Sequence, residues 1–216
     1  MLNKLILPVV IGAVVLTGGC LQKETSHTLY LSPDGSVSWI ASEAEVYSDE
    51  SDVAKRTEEE QRYFGQVLLG THTAARGLAA LGPERPVRTT IVRDERPFHV
   101  ITDARFDRID HLLDRLFTKC GVQATTELDR EGDRMTLRVR LDFSRELQEG
   151  DAAVVDALLD VEHFRFVLTE GTFGEVTGFD VTDKRSAVFS KEWMDSAEKA
   201  SEEKRPIDFA LSWTGR

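Results

Sequence analysis

Cysteine is scarce in this sequence. The 216 residues contain two, Cys20 and Cys120, and neither lies in a C-x-x-C pair or in the Cys/His spacing of a structural zinc site. A zinc-stabilised scaffold of that kind is therefore excluded. With 41% hydrophobic and 30% charged residues, the composition is that of a globular rather than a disordered chain.

Long apolar runs are also missing. The apolar stretch near the start covers residues 5–16, whereas a membrane-spanning helix needs roughly 20 apolar residues. Pro8 and Gly12 further weaken it as a permanent helix. One positive charge, Lys4, precedes the stretch and small residues follow it, as in a secretory signal. We therefore predict that residues 1–19 are a cleaved signal peptide.

A cysteine closes this segment, in the order Leu16-Thr17-Gly18-Gly19-Cys20. The motif resembles the lipobox of bacterial lipoproteins, in which a small residue directly precedes an invariant cysteine. Gly19 and Cys20 fit those two positions, while Thr17 stands where the commonest lipobox has leucine. The resemblance implies that Cys20 becomes the N-terminal residue and carries a diacylglyceryl thioether and an amide-linked acyl chain such as palmitate. Two or more acyl chains anchor a protein stably, at about 0.8 kcal/mol per buried methylene. The alternative is an ordinary signal peptide with a chance cysteine.

The residue after the cysteine bears on the location. In lipoproteins an aspartate there signals retention in the inner membrane, and this chain has Leu21. The resemblance thus implies a cell-envelope protein, in the outer membrane facing the periplasm of a diderm cell and otherwise on the outer face of the cell membrane. We predict that residues 20–26 form a short tether, so that the folded domain begins close to the membrane.

Basic residues are outnumbered, 27 Lys and Arg against 38 Asp and Glu, for a net charge of −11. Removing residues 1–19 removes only Lys4 among the charged residues, which makes the net charge −12. An acidic surface disfavours nucleic acid, whose binding rests on phosphate neutralisation. It also disfavours lying flat on anionic lipid. We predict membrane attachment through Cys20 and no nucleic-acid partner.

The apolar pattern predicts one α+β domain over residues 27–216. Strand residues alternate most clearly between Arg134 and Phe143, where one face is apolar and the other carries Arg138 and Arg140, as in antiparallel sheets. An apolar stripe predicts a helix from Asp107 to Cys120. We expect antiparallel sheets of β-hairpins with three to five helices packed on one face. If Cys20 is acylated, it cannot form a disulfide with Cys120. Cys120 is then either buried or paired with another molecule, and burial in the helix as an inert thiol is the favoured interpretation.

Metal and cofactor sites are not predicted. The histidines lie far apart, form no H-E-x-x-H motif and are expected on the surface: His27, His72, His99, His111 and His163. A cluster of carboxylates could bind Ca²⁺, but the interleaved Arg108 and Arg115 favour a solvated helix face. The cluster consists of Asp103, Asp107, Asp110 and Asp114.

Catalytic residues are not predicted either. Glu43 and Glu45 point to the same side of a strand, where paired carboxylates could do acid–base work, but the end of a hairpin favours solvent-facing side chains. No serine lies in a G-x-S-x-G motif. Tyr30, Trp39 and Tyr47 could form a membrane-facing aromatic patch, although core packing is the favoured interpretation.

Three functions remain open. The first is a non-enzymatic envelope lipoprotein that presents its acidic domain to a protein partner or to the cell wall. The second is a binding module for an apolar ligand or lipid near the membrane, which an apolar cavity of several hundred Å³ would favour. The third is a hydrolase, which would need carboxylates and histidines with perturbed pKa values in a cleft.

Overall fold

Two β-sheets organise the protein. The computed structural model describes residues 21–144, 154, 158 and 164–215. Its strands are β1 (Leu21–Leu31), β2 (Val37–Ser48), β3 (Arg88–Arg93), β4 (Phe98–Phe106), β5 (Gln123–Glu131), β6 (Arg134–Asp142), β7 (Phe164–Leu168), β8 (Thr172–Thr177), β9 (Phe179–Val181), β10 (Ser186–Phe189) and β11 (Pro206–Thr214). Its helices are α1 (Val53–Leu68), α2 (Thr73–Ala80), α3 (Ile109–Lys119) and, in our numbering, α4 (Lys191–Glu202). Among these described helices, none combines the length and the apolar content needed to cross a membrane.

The larger sheet has seven strands in the order β3-β4-β2-β1-β7-β10-β9. Strands β1 and β2 form the antiparallel hairpin that the Pro33-Asp34-Gly35 turn predicts, with Leu29 opposite Trp39. The other edge of β1, however, pairs in parallel with β7, so that Leu29 also lies opposite Phe166. The sheet is therefore mixed. The smaller sheet has four strands, in the order β5-β6-β11-β8, and its described pairings are antiparallel.

The predicted fold class is wrong. Strands make up 47% and helices 28% of the described residues, and the larger sheet is mixed rather than built from antiparallel hairpins. The helices also do not share one face, since α1 and α2 contact the larger sheet while α3 and α4 contact the smaller one. The alternation of apolar and polar residues identifies a strand and the hairpin to which it belongs. It could not show that β1 pairs with β7, which is distant in sequence. The apolar spacing of Val154, Val155, Leu158 and Leu159 also predicts a short helix over residues 151–160. The structure describes only Val154 and Leu158 of this segment, and both are helical and buried.

Gly178 marks the point where the chain passes from the smaller sheet to the larger one. The chain runs from β8 in the smaller sheet directly into β9 in the larger one, and Gly178 lies between them with φ +85°. A Cβ atom at this position would lie 2.7 Å from the ring of Trp193. Glycine is the residue that accepts both the positive φ and this close approach. Two consecutive strands therefore belong to different sheets.

One apolar core joins the two sheets. Trp39 and Phe166 fill it from the larger sheet, and Phe209 and Trp213 fill it from the smaller one, all with no more than 1% of their surface exposed. Ring contacts bridge the sheets directly, since the centroids of Phe179 in β9 and Phe209 in β11 are 5.6 Å apart. This edge-to-face geometry is the one that aromatic pairs favour.

The first strand begins at Leu21, directly after Cys20. Within the segment that we predicted as a tether, Gln22 lies opposite Tyr47 and Thr25 opposite Glu43 in the ladder between β1 and β2. The apolar side chain of Leu21 packs against a small second core formed by Val46, Tyr63, Val67 and Val100. The described chain is therefore ordered into the sheet from its first residue.

Candidate functional site

Glu43 lies at the centre of a buried polar cluster. Alternate residues of a strand point to one face, and Val37, Trp39, Ala41 and Glu43 all point from β2 toward the interior. The side chain of Glu43 is 1% exposed. The expectation that this carboxylate faces solvent is thus wrong. A buried carboxylate is costly unless other polar groups compensate it.

Three side chains supply that compensation, and they come from different parts of the fold. Lys23 of β1 donates its ammonium group to Oε1 of Glu43. The hydroxyl of Tyr63 in α1 donates to Oε2 at 3.3 Å. Nε2 of His72, which precedes α2, lies 3.6 Å from the same oxygen and 2.9 Å from the hydroxyl of Thr102 in β4. The cluster therefore connects β1, β2, β4 and both helices that cover this sheet.

A β-bulge separates Glu43 from Glu45. The register between β2 and β4 shifts between Glu43 and Val46, and Glu45 has φ +48°. The side chain of Glu45 is 51% exposed and forms an ion pair with Arg93 at 2.8 Å. The two carboxylates that the sequence brings together as a candidate pair therefore lie in different environments, one buried and one in solvent.

The electrostatics of the cluster favour the neutral forms of His72 and Tyr63. Burial lowers the pKa of His72, the carboxylate of Glu43 opposes this shift, and the charge of Lys23 adds to it. Burial, together with the charge of Glu43, raises the pKa of Tyr63. Nδ1 of His72 has no hydrogen-bond partner among the described residues. The tautomer that protonates Nε2 is favoured, because it leaves an acceptor rather than a donor unsatisfied.

The cluster contains acid–base groups but offers a substrate little access. Glu43 and His72 have side chains that are 1% and 0% exposed, whereas Lys23 is 30% exposed and lies over the carboxylate. A general base has to come within hydrogen-bond reach of the proton that it removes. In this arrangement the groups instead contact one another. Through Glu43, their contacts connect the first half of β1 to α1 and to the start of α2.

The depressed pKa of His72 predicts a specific pH dependence. Because the folded state disfavours imidazolium, the unfolded chain binds the proton more readily below the ordinary histidine pKa of about 6.5. This contribution to stability is therefore complete above that pH and is lost as the pH falls toward the folded pKa, at no more than about 1.4 kcal/mol per pH unit. Urea unfolding at pH 7.5 and 5.5 should show a larger loss for the wild type than for His72→Gln.

The exposed His111 provides the control for that measurement. Its Nδ1 lies 3.4 Å from Asp107, and both side chains are at least half exposed. His111→Gln should keep the wild-type difference between the two pH values. An equal pH dependence in wild type and His72→Gln would show that His72 does not carry the effect.

The other histidines that the structure describes do not assemble into a site. His27 is also buried, contrary to the expected surface position, and its Nδ1 accepts a hydrogen bond from the indole of Trp39 at 3.2 Å. His99 is half-buried, with Nε2 3.0 Å from the hydroxyl of Ser42. His163 lies outside the described residues. Within the described ranges, no group of three or more His, Cys, Asp or Glu side chains is placed to hold a metal ion.

The predicted acidic face of α3 is held by ion pairs. Asp110 is mostly buried and receives two hydrogen bonds from the guanidinium of Arg108, at 2.9 and 2.7 Å. Asp107 lies near both His111 and Arg115. Asp114 is exposed. Neighbouring basic groups thus pair with Asp107 and Asp110. The expectation of a solvated face is wrong for Asp110, which is buried.

Cys120 and the three aromatic residues have separate positions. Cys120 lies at the end of α3, in the main core, and is 5% exposed. Trp39 is fully buried, while Tyr47 is 36% exposed, with the guanidinium of Arg96 5.4 Å from its ring centroid. Tyr30 is half-buried. These aromatic residues therefore form no shared patch. Cys20 lies outside the described residues.

A groove of about 390 Å³ lies on the smaller sheet. Charged side chains line much of it, including Glu127, Arg138, Arg140 and Asp208. Arg140 pairs with Asp208 at 3.4 Å, and Arg138 pairs with Asp129. The groove is thus lined by charged as well as apolar side chains, the latter including Val139 and Phe209.

The comparisons with known proteins add little. No protein-family model matches the chain, and no curated protein sequence does. The chain is similar to the solution structure of the folded domain of the LppM protein from Mycobacterium tuberculosis, with 10% sequence identity, a TM-score of 0.36 and coverage of 94% of each chain. A similarity at this level carries no argument about fold or function.

Proposed function

We propose that this protein is a lipid-anchored envelope lipoprotein, attached to the membrane through Cys20. The observation that carries the proposal is the start of β1 at Leu21, one residue after the cysteine of the lipobox-like motif. Signal peptidase cleavage before Cys20 would remove the apolar segment and leave the sheet intact. The acyl chains would then join a folded domain directly, with no flexible linker between them.

The domain itself acts without catalysis in this proposal. The acid–base groups that could form an active site are directed at one another, with Glu43 1% exposed. The net charge of −12 after cleavage lies on a domain held close to the membrane. Such a surface suits a protein partner or a component of the cell wall, and anionic lipid would repel it.

Replacing Cys20 tests the anchor directly. In cells fed an alkyne analogue of palmitate, Cys20→Ala should abolish labelling of the protein, because the diacylglyceryl thioether and the amide-linked acyl chain are both attached to Cys20 in this proposal. After a high-salt wash, the membrane fraction should retain the mature form of the wild type but no mature form of the variant. One acyl chain binds membranes only marginally and several bind stably, so the change should be close to complete.

Cys120→Ala is the matched control, since it removes the only other thiol in the sequence. This variant should keep both the label and the membrane association of the wild type. Persistent labelling of Cys20→Ala, or its loss in Cys120→Ala, would contradict the proposed anchor.

A further inference from the structure

A second groove, on the larger sheet, concentrates positive charge on an acidic protein. It has a volume of about 300 Å³, and Arg85, Arg88 and Arg105 line it. Ser38, Ile40, Pro86, Asp103 and Ala104 complete the lining. We call this the arginine groove. Three guanidinium groups and one carboxylate give it a charge of +2, in a chain whose net charge is −11.

The sheet register explains why these residues meet. Residues that lie opposite each other in neighbouring strands share a face. Arg88 of β3 is opposite Asp103 of β4, which is opposite Ile40 of β2. Arg105 is in turn opposite Ser38. All five point away from the buried face that Trp39 and Ala41 occupy, so the groove opens on the outer face of the sheet.

Two of the arginines have no ionic partner within the part of the chain that the structure describes. Neither Arg85 nor Arg88 makes a hydrogen bond or an ion pair with a described residue, and Arg105 approaches Glu84 only loosely, at 3.7 Å. The arginines of the smaller sheet behave differently, since Arg134 and Arg138 each pair with a carboxylate. In a protein with an excess of acidic residues, unpaired guanidinium groups in a groove are available to an external anion.

The loop that carries Arg85 is held in place before any ligand binds. Pro83 and Pro86 restrict its backbone. The amide of Glu84 donates to the carbonyl of Arg105 at 2.8 Å. The guanidinium of Arg115 in α3 donates to the carbonyl of Gly82 at 3.0 Å. A preorganised loop lowers the entropy lost on binding.

We propose that the arginine groove binds a phosphate group carried by a ligand in the aqueous phase. A guanidinium group matches phosphate oxygens with two parallel hydrogen bonds. The charge of +2 suits a phosphate monoester, which carries about −1.5 to −2 at neutral pH, better than a single carboxylate.

The position of the groove favours a soluble ligand over the anchoring lipid. Ser38 lies opposite Tyr30, which is near the end of β1 remote from Leu21. At about 3.3 Å per residue, the strand separates them by about 30 Å. The anchor and the groove are thus at opposite ends of β1.

Equilibrium dialysis of the full, lipidated chain in non-ionic detergent tests this proposal, with radiolabelled inorganic phosphate as the probe and chloride at fixed ionic strength. We expect saturable binding to one site. The double variant Arg85→Gln/Arg88→Gln should lower the affinity at least about tenfold, because it removes two charge-assisted contacts. Circular dichroism should confirm that these exposed substitutions leave the fold intact.

Two single variants make the test specific. Asp103→Asn removes the carboxylate in the groove and should raise the affinity about three- to tenfold. Arg62→Gln removes the same charge from the exposed face of α1 and should leave the affinity unchanged within about twofold. The proposal is overturned if phosphate binding does not saturate, if Arg62→Gln weakens it as much as the double variant, or if Asp103→Asn weakens it.

A titration with dihexanoyl phosphatidylglycerol separates the two sources of phosphate. Binding of inorganic phosphate that requires Arg85 and Arg88 supports a soluble ligand. Binding of the short-chain lipid without any binding of inorganic phosphate would overturn the proposal, because the groove would then recognise a lipid.

Discussion

Glu43→Ala should lower the free energy of unfolding by about 3 kcal/mol at pH 7.5, the cost expected when one partner of a buried charged network is removed. The substitution leaves the hydroxyl of Tyr63 without its acceptor and the ammonium group of Lys23 without its counter-ion. Both groups are at least partly buried, so water replaces the lost contacts poorly. Urea unfolding of the purified protein measures the difference.

Glu45→Ala is a closely matched control, two residues along the same strand. It removes a carboxylate of the same size, but one that is half exposed and paired with the exposed Arg93. Exposed ion pairs contribute about 0–1 kcal/mol, so the loss should be within this range. Glu43→Gln, which keeps an acceptor oxygen and the volume, should fall between the two. Equal losses for Glu43→Ala and Glu45→Ala would contradict the buried network.

The burial of Glu43 was partly visible in the sequence. Val37, Trp39 and Ala41 alternate, and Glu43 continues their phase. The same holds for His27, which continues the phase of Leu29 and Leu31 and is buried with them. A polar residue in the apolar phase of a strand is therefore a signal of a buried polar contact. The contacts of Glu43 with Tyr63 and His72 could not be predicted, because segments far apart in sequence supply these side chains.

Local patterns predicted local structure well and pairing at a distance poorly. The turn at Pro33-Asp34-Gly35 and the stripe that ends at Cys120 correspond to the β1–β2 hairpin and to α3. The parallel pairing of β1 with β7 has no local signature, because neither a turn nor a shared alternation joins the two strands. Likewise, the arginine groove depends on the register of three strands, and residue types alone do not determine that register.

Gly171→Ala should destabilise the protein by about 3–4 kcal/mol, because two independent costs coincide at this residue. Gly171 lies between β7 and β8 with φ +81°, a conformation that costs an L-residue about 1–2 kcal/mol. A Cβ atom would also lie 1.6 Å from the carbonyl oxygen of Thr214. No side-chain rotation can relieve an overlap with backbone, so β11 would have to move.

The position of Gly171 makes that movement costly. Thr214 pairs with Thr172 at the edge of the smaller sheet, while Thr169, just before the glycine, donates its amide to the carbonyl of Leu31 in the larger sheet at 2.9 Å. A shift of the turn would therefore disturb the pairing in one sheet and a hydrogen bond to the other. We expect a cooperative loss of stability rather than a local loosening.

Gly132→Ala separates the two costs. Gly132 has φ +64°, so an alanine there meets the same kind of backbone strain, but nothing lies within 4 Å of the added Cβ. Its loss should be about 1 kcal/mol. Thermal and urea unfolding of both variants should therefore differ by about 2–3 kcal/mol, which measures the overlap with Thr214 alone. If the two variants lose the same stability, the close approach of the two backbones at Gly171 does not contribute, and the positive φ accounts for the whole effect.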